Sequence, residues 1–253
     1  MRSQTFLREF IKMSFLIILG ILLPLIGTTL GACFVFFKGI RGADSKILSG
    51  FAAGVMAAAC VWSLIIPAVE MSLSLGFFSF VPMLLGLWLG VIFLILCEKA
   101  PFSRKNDGCL FYFAVILHNI PEGMAVGVAF ASALDNNGAI GLASAFLLSF
   151  GIAMQNIPEG AIISLPLSAG GKSGRKSFVL GSLSGIVEPI AACLTLVFSS
   201  VVTSLLPYLL GFAAGAMLYV SLSELLPKAS GTKGSLWFLL GFSVMMVLDI
   251  ALG

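Results

Sequence analysis

Charge is what this sequence of 253 residues has least of. Only 10% of its residues are Asp, Glu, Lys or Arg, against 59% that are hydrophobic, and the mean hydropathy is +1.12. Soluble domains carry about 25% charged residues. A folded chain so poor in charge cannot cover a water-facing surface, so lipid must be its main solvent. The net charge of +3 is small and dispersed, which leaves no electrostatic footprint for nucleic acid. The five cysteines, Cys33, Cys60, Cys97, Cys109 and Cys193, include no C-x-x-C pair and no disulfide framework. They read as small apolar residues inside helices. There is one histidine, His118. A zincin needs H-E-x-x-H, so that class of metallohydrolase is excluded. G-x-S-x-G is missing too, and with it a serine-hydrolase signature.

What the chain does have is long apolar runs. A membrane-spanning helix takes about 20 residues, and eight fit here, at 13–37, 47–70, 78–97, 109–133, 138–168, 177–203, 206–228 and 235–252. The whole chain, 1–253, is then one transmembrane domain. The N-terminal run is basic and then apolar, like a signal peptide, but it is too long for a signal core and reads as a retained first span. Loop charges support the count. Lys38, Arg41 and Lys46 follow span one; Lys99, Arg104 and Lys105 follow span three. Lys172, Arg175 and Lys176 follow span five; Lys228 and Lys233 follow span seven. The loops after spans two, four and six carry none. Basic residues collect in cytoplasmic loops, so both termini are expected outside. Arg2, Arg8 and Lys12 oppose that orientation. Short loops suggest a prokaryotic plasma (inner) membrane.

Two blocks repeat. Gly50-Phe51-Ala52-Ala53-Gly54 in span two recurs as Gly211-Phe212-Ala213-Ala214-Gly215 in span seven, and both copies run on to a proline, Pro67 and Pro227. Spans two and seven cross the bilayer in opposite directions, the mark of an inverted repeat. His118-Asn119-Ile120-Pro121-Glu122-Gly123 in span four recurs as Gln155-Asn156-Ile157-Pro158-Glu159-Gly160 in span five, with five of six positions identical.

The second block carries chemistry. His118 and Glu122 are four apart and share a helix face; Asn119 and Glu122 are three apart. Pro121 and Pro158 cannot donate to the carbonyls of Leu117 and Met154, so each helix is expected to kink there and leave a free carbonyl oxygen. Broken helices of this kind bind ions in transporters. Together the two segments offer an imidazole, two carboxylates and three amide oxygens, a set that suits zinc, iron(II) or manganese. A lone carboxylate at mid-bilayer costs ~2.5–3.5 kcal/mol on insertion scales. Glu122, Glu159 and Glu188 all lie within spans, with no Lys or Arg inside spans four to six to pair with them. A dication offsets that cost. Glu188, beside Pro189, is the third candidate carboxylate. Met56 is a soft ligand or packing. Ser63 and Glu70 in span two, and Glu224 in span seven, stand towards the two mouths as candidate pathway residues. Asp249 reads as interfacial and takes no role.

These motifs resemble the ZIP (Zrt/Irt-like) family of metal transporters, and its GufA-like branch most. The His118–Gly123 and Gln155–Gly160 blocks are specific; span two around Met56 and Trp62–Pro67, and Val187-Glu188-Pro189, are supportive. The resemblance implies an all-α polytopic membrane protein of eight helices in a 3+2+3 inverted repeat. It also implies a binuclear metal site between spans four and five. One metal would meet His118, Glu122, Gln155, Glu159 and Met56, and the other Asn119, Glu122, Asn156, Glu159 and Glu188. The expected substrate is Zn2+, with Fe2+, Mn2+ and Cd2+ as further candidates, carried into the cytoplasm by one helix bundle moving against another. A homodimer is the assembly implied. Two departures stand out. Gln155 replaces a frequent histidine and Asn156 an occasional aspartate, which weakens the second metal or shifts selectivity. The loop from Glu98 to Cys109 lacks the histidines common there. A passive metal channel, a non-transporting sensor and an intramembrane enzyme are the competing readings.

Overall fold

The computed structural model describes residues 2–37, 44–99, 109–134 and 141–252. Within them all regular structure is helical, and eight segments are long and apolar enough to cross a bilayer. They are Met13–Phe36, Lys46–Glu70, Val81–Lys99, Phe111–Leu134, Leu142–Ala169, Gly174–Val197, Ser199–Lys228 and Thr232–Ala251, spans one to eight. The start expected for span five, 138–140, lies outside the described residues.

The largest boundary difference falls between spans six and seven. The sequence suggested a loop at 203–206, near Pro207. The chain instead turns at Phe198 (φ −115°, ψ 30°), and Pro207 sits inside the helix Ser199–Val220. Pro207 is within the early part of a membrane helix, where lost backbone bonds can be re-satisfied locally. Span six also begins earlier than expected, taking in Arg175 and Lys176 at its exposed end. It is itself two helices, Gly174–Ser184 and Val187–Val197, broken at Gly185–Ile186 just before Glu188.

Glycines set the packing. A Cβ on Gly27 or Gly31 of span one would lie 1.9 Å from a backbone carbonyl oxygen of span five, at Ala153 and Ile157. A Cβ on Gly54 of span two would lie 2.0 Å from the Phe238 carbonyl of span eight, and one on Gly241 of span eight would lie 2.3 Å from the Phe51 carbonyl. Gly86 and Gly90 of span three meet Tyr208 and Phe212 of span seven; Gly123 and Gly127 of span four meet Glu188 and Ala192 of span six. Such approach is open only to residues without side chains. Every one of these contacts stays within spans one, four, five and six, or within spans two, three, seven and eight. The pairings are also mirrored: one with five answers six with four, and two with eight answers seven with three.

The inverted repeat goes deeper than the Gly-Phe-Ala-Ala-Gly block. Spans two and seven each widen into a π-helical segment, Cys60–Ile65 and Ser221–Leu225, starting ten residues after Gly50 and Gly211. Pro67 and Pro227 follow, and each withholds an N–H from the serine carbonyl four residues back, Ser63 and Ser223. A π turn absorbs the mismatch. Met56 and Met217 hold the same place in the two copies, and both are buried in one core to which spans two, three, four, five, seven and eight contribute. At the rim, the Asp44 side chain caps span two through the Lys46 N–H at 3.0 Å and pairs with Lys233 of span eight at 2.9 Å. Spans three and eight turn large apolar residues outward, among them Trp88, Leu89, Ile92, Leu236 and Leu240, as a lipid-facing surface requires.

Candidate metal site

Span four carries His118, Asn119 and Glu122, and span five carries Gln155, Asn156 and Glu159. All six are buried. Helix Cys109–Leu134 runs unbroken through Pro121, and Leu142–Ala169 through Pro158. Neither proline interrupts its helix, and each still withholds an N–H from the carbonyl four residues back, Leu117 and Met154; the backbone interruption near the site lies in span six. Helical spacing still puts the polar residues of each block on one face, and the faces meet. His118 Nε2 lies 3.1 Å from Glu159 Oε1 and 3.2 Å from Glu122 Oε1. One donor atom from each of these residues falls within 4.8 Å of the others. Two ligands bound to one zinc at ~2.1 Å sit roughly 3.4 Å apart in a tetrahedron, so the spacing fits one cation with little adjustment.

Hydrogen bonding supports the same donor set. Asn119 Nδ2 donates to the Ser184 carbonyl at 3.0 Å. Asn156 Nδ2 donates to Glu188 Oε2 at 2.9 Å and to the Pro24 carbonyl at 3.2 Å. Both amide nitrogens are thus tied back, while Asn119 Oδ1 and Asn156 Oδ1 are buried and find no partner among the described residues. Among the described residues, Glu122 Oε2 and Glu159 Oε2 meet no donor, and Glu122 Oε1 has only His118 Nε2 near it, at 3.2 Å. Buried polar atoms are almost always partnered, and in a bilayer an orphan costs several kcal/mol. A knot of unpartnered oxygens beside an imidazole is what a bound cation would satisfy.

Glu188, 1% exposed, joins this network through Asn156 and Thr28. Gln155 donates to Asp249 of span eight, which also accepts from Ser63 at 2.6 Å. Asp249 is therefore not interfacial. It is 6% exposed, and its Oδ2 meets no partner among the described residues. An acid inside an apolar span is a functional candidate by default, and that signal was available in the sequence. Thr28 and Pro24 of span one are the other residues sequence reasoning missed; nothing marks them out before the helices are packed. Met56 is buried on span two inside the apolar core.

A cavity of about 390 Å³ runs from Glu70 and Met71 past Ser63 to Glu122, Gln155 and Asp249. At the opposite end, a second cavity of about 300 Å³ is lined by Ser49, Glu224 and Lys228 and by none of the clustered polar residues. Ser63 and Glu224 stand thirteen residues after Gly50 and Gly211, so the repeat places them at matching points of opposed cavities.

The profile of the family described as ZIP Zinc transporter matches residues 97–249. The chain belongs to the ZIP family. Among similar ZIP proteins, "Zinc transporter ZIP11" of Xenopus tropicalis is 33% identical, over 93% of this chain and 97% of its own length. "Zinc transporter ZIPB" of Bordetella bronchiseptica is 33% identical over 89% of this chain and 78% of its own. "Zinc transporter GufA" of Myxococcus xanthus is 39% identical over 60% of this chain and 58% of its own. ZIP membership and the eight apolar helices together make this a multi-pass integral membrane protein.

Proposed function

We propose that this protein carries zinc across the membrane into the cytoplasm through a site between spans four and five. The observation that carries the reading is the buried His118–Glu122–Glu159 cluster, ringed by carboxylate and amide oxygens that find no partner among the described residues. The relatives' names, all zinc transporters, supply the substrate. Nitrogen with oxygen ligands also suits iron(II) and manganese, and Met56 would favour softer ions such as cadmium.

In this reading the first cation is held by His118, Glu122, Gln155 and Glu159 with Met56, and the second by Asn119, Glu122, Asn156, Glu159 and Glu188. Glu122 and Glu159 would bridge. Ser63, Glu70 and Asp249 line the approach, and Glu224 lines the departure. The alternating basic loops put the Glu70 mouth outside. A carrier is favoured over a channel because the opposed cavity reaches none of the clustered residues. It is also favoured by the glycine contacts, which bind spans one, four, five and six as one unit, and two, three, seven and eight as another. Sliding one unit past the other would expose the site to each cavity in turn.

The test is radioactive zinc uptake into proteoliposomes holding purified protein. The reading expects saturable uptake in wild type and none in Glu122→Ala or Glu159→Ala at equal reconstitution. Normal uptake by either variant would sink the bridging assignment. Wild-type flux that never saturates would support a channel.

A further inference from the structure

Span one contributes none of the proposed ligands, yet it holds two of them in place. The Pro24 carbonyl accepts from Asn156 Nδ2 at 3.2 Å and from Thr28 Oγ1 at 3.2 Å. Thr28 Oγ1 also faces Glu188 Oε1 at 3.4 Å. A carbonyl can only accept, so this contact fixes which end of the Asn156 amide points at span one: the nitrogen does, and the oxygen is left for the site. Both protons of that nitrogen are used, one on Pro24 and one on Glu188. Glu188 therefore has a donor group beside each oxygen, Asn156 on one and, on the other, the Thr28 hydroxyl, whose single proton is shared between Glu188 and the Pro24 carbonyl. A threonine in a membrane helix often bonds back to the carbonyl four residues before it. That habit does not explain the carboxylate of another span lying beside the same hydroxyl.

The packing is built around this residue. Thr28 is 1% exposed. A Cβ on Gly160 would lie 2.0 Å from the Thr28 carbonyl, and one on Gly185 would lie 2.7 Å from Thr28 Oγ1. Glycine on span five and glycine at the break in span six are what let span one come close enough. We propose that Thr28, acting with the Pro24 carbonyl, is a positioning residue of the metal site, one that sets the rotamer of Glu188 and the amide orientation of Asn156. The idea rests on the metal-site reading above. Groups that orient a metal ligand are worth 10–100-fold in affinity or activity when lost.

The experiment is calorimetric titration of detergent-purified protein with Zn2+, on variants that elute as wild type does. Glu188→Gln first identifies the binding step that depends on Glu188. Thr28→Val keeps the branched shape and removes the donor, and should weaken that same step about tenfold. Thr28→Ser keeps the donor and should restore it to within about twofold of wild type. If Thr28→Val does not fold, Thr28→Ala replaces it in the comparison with Thr28→Ser. Wild-type affinity in Thr28→Val would overturn the positioning role, as would equal damage in Thr28→Ser, which would mark a packing role. Wild type that binds no zinc would instead overturn the metal-site reading beneath it.

Discussion

Asn156→Asp is the substitution whose consequences the geometry spells out most fully. The Asn156 nitrogen now donates to Glu188 at 2.9 Å and to the Pro24 carbonyl at 3.2 Å. A carboxylate has no nitrogen end, so however it turns, one oxygen lies where that donor was. It would face two acceptors, one of them charged. Two like charges ~4 Å apart at an effective dielectric near 20 repel by about 4 kcal/mol, and two hydrogen bonds worth about 1 kcal/mol each are lost as well. The variant should therefore be less stable than wild type without metal. A dication between the two carboxylates reverses the sign, so the variant should bind the second cation more tightly and gain more from it. Thermal unfolding of detergent-purified protein, with chelator and with excess Zn2+, reads both effects. The expected outcome is a lower melting temperature in chelator and a larger rise on adding zinc. A variant that melts with wild type in chelator, and shifts no further with zinc, would refute the placement of Asn156 against Glu188.

Further outcomes follow from other parts of the structure. Asp249→Asn should keep zinc transport but raise the apparent KM, because it removes a charge from the cavity leading to Gln155; uptake kinetics check this, and an unchanged KM would remove Asp249 from the path. Gly27→Leu should abolish correctly folded protein, since even a Cβ there would lie 1.9 Å from the Ala153 carbonyl; monodisperse elution at wild-type yield would contradict the close packing of spans one and five. The Lys46 N–H, and then Lys233, hold the Asp44 carboxyl below its usual range. Its folded value is the lower one, so the contribution is present at neutral pH and fades as pH falls through the carboxylate range. Asp44→Asn should flatten the acid limb of a stability–pH curve slightly, since an exposed pair contributes little; a large loss at neutral pH would mean the pair does more than tie spans two and eight.

The eight spans were legible because apolar length and loop charge are local signals. Their limits were less so. The loop was expected at 203–206, next to Pro207, but the chain turns at Phe198-Ser199, where there is neither glycine nor proline to mark it. The duplicated Asn-Ile-Pro-Glu blocks revealed which residues could cluster, since a three- and four-residue spacing fixes a helix face whatever the fold. They could not reveal that the helices stay continuous through Pro121 and Pro158 while span six breaks at Gly185. Asp249 was misjudged on its nearness to the C-terminus; its burial depends on span eight packing against span two through Gly54 and Gly241. Thr28 carried no signal at all, because a threonine gains meaning only from the carboxylate that another span brings to it.

The central claim is that zinc sits on His118 and the span four and five carboxylates. X-ray absorption at the zinc edge of the loaded protein tests it most directly. The account predicts a mixed nitrogen and oxygen shell at about 2.0–2.2 Å, with the imidazole contribution lost in His118→Ala. A spectrum of oxygen ligands alone, unchanged by His118→Ala, would contradict it.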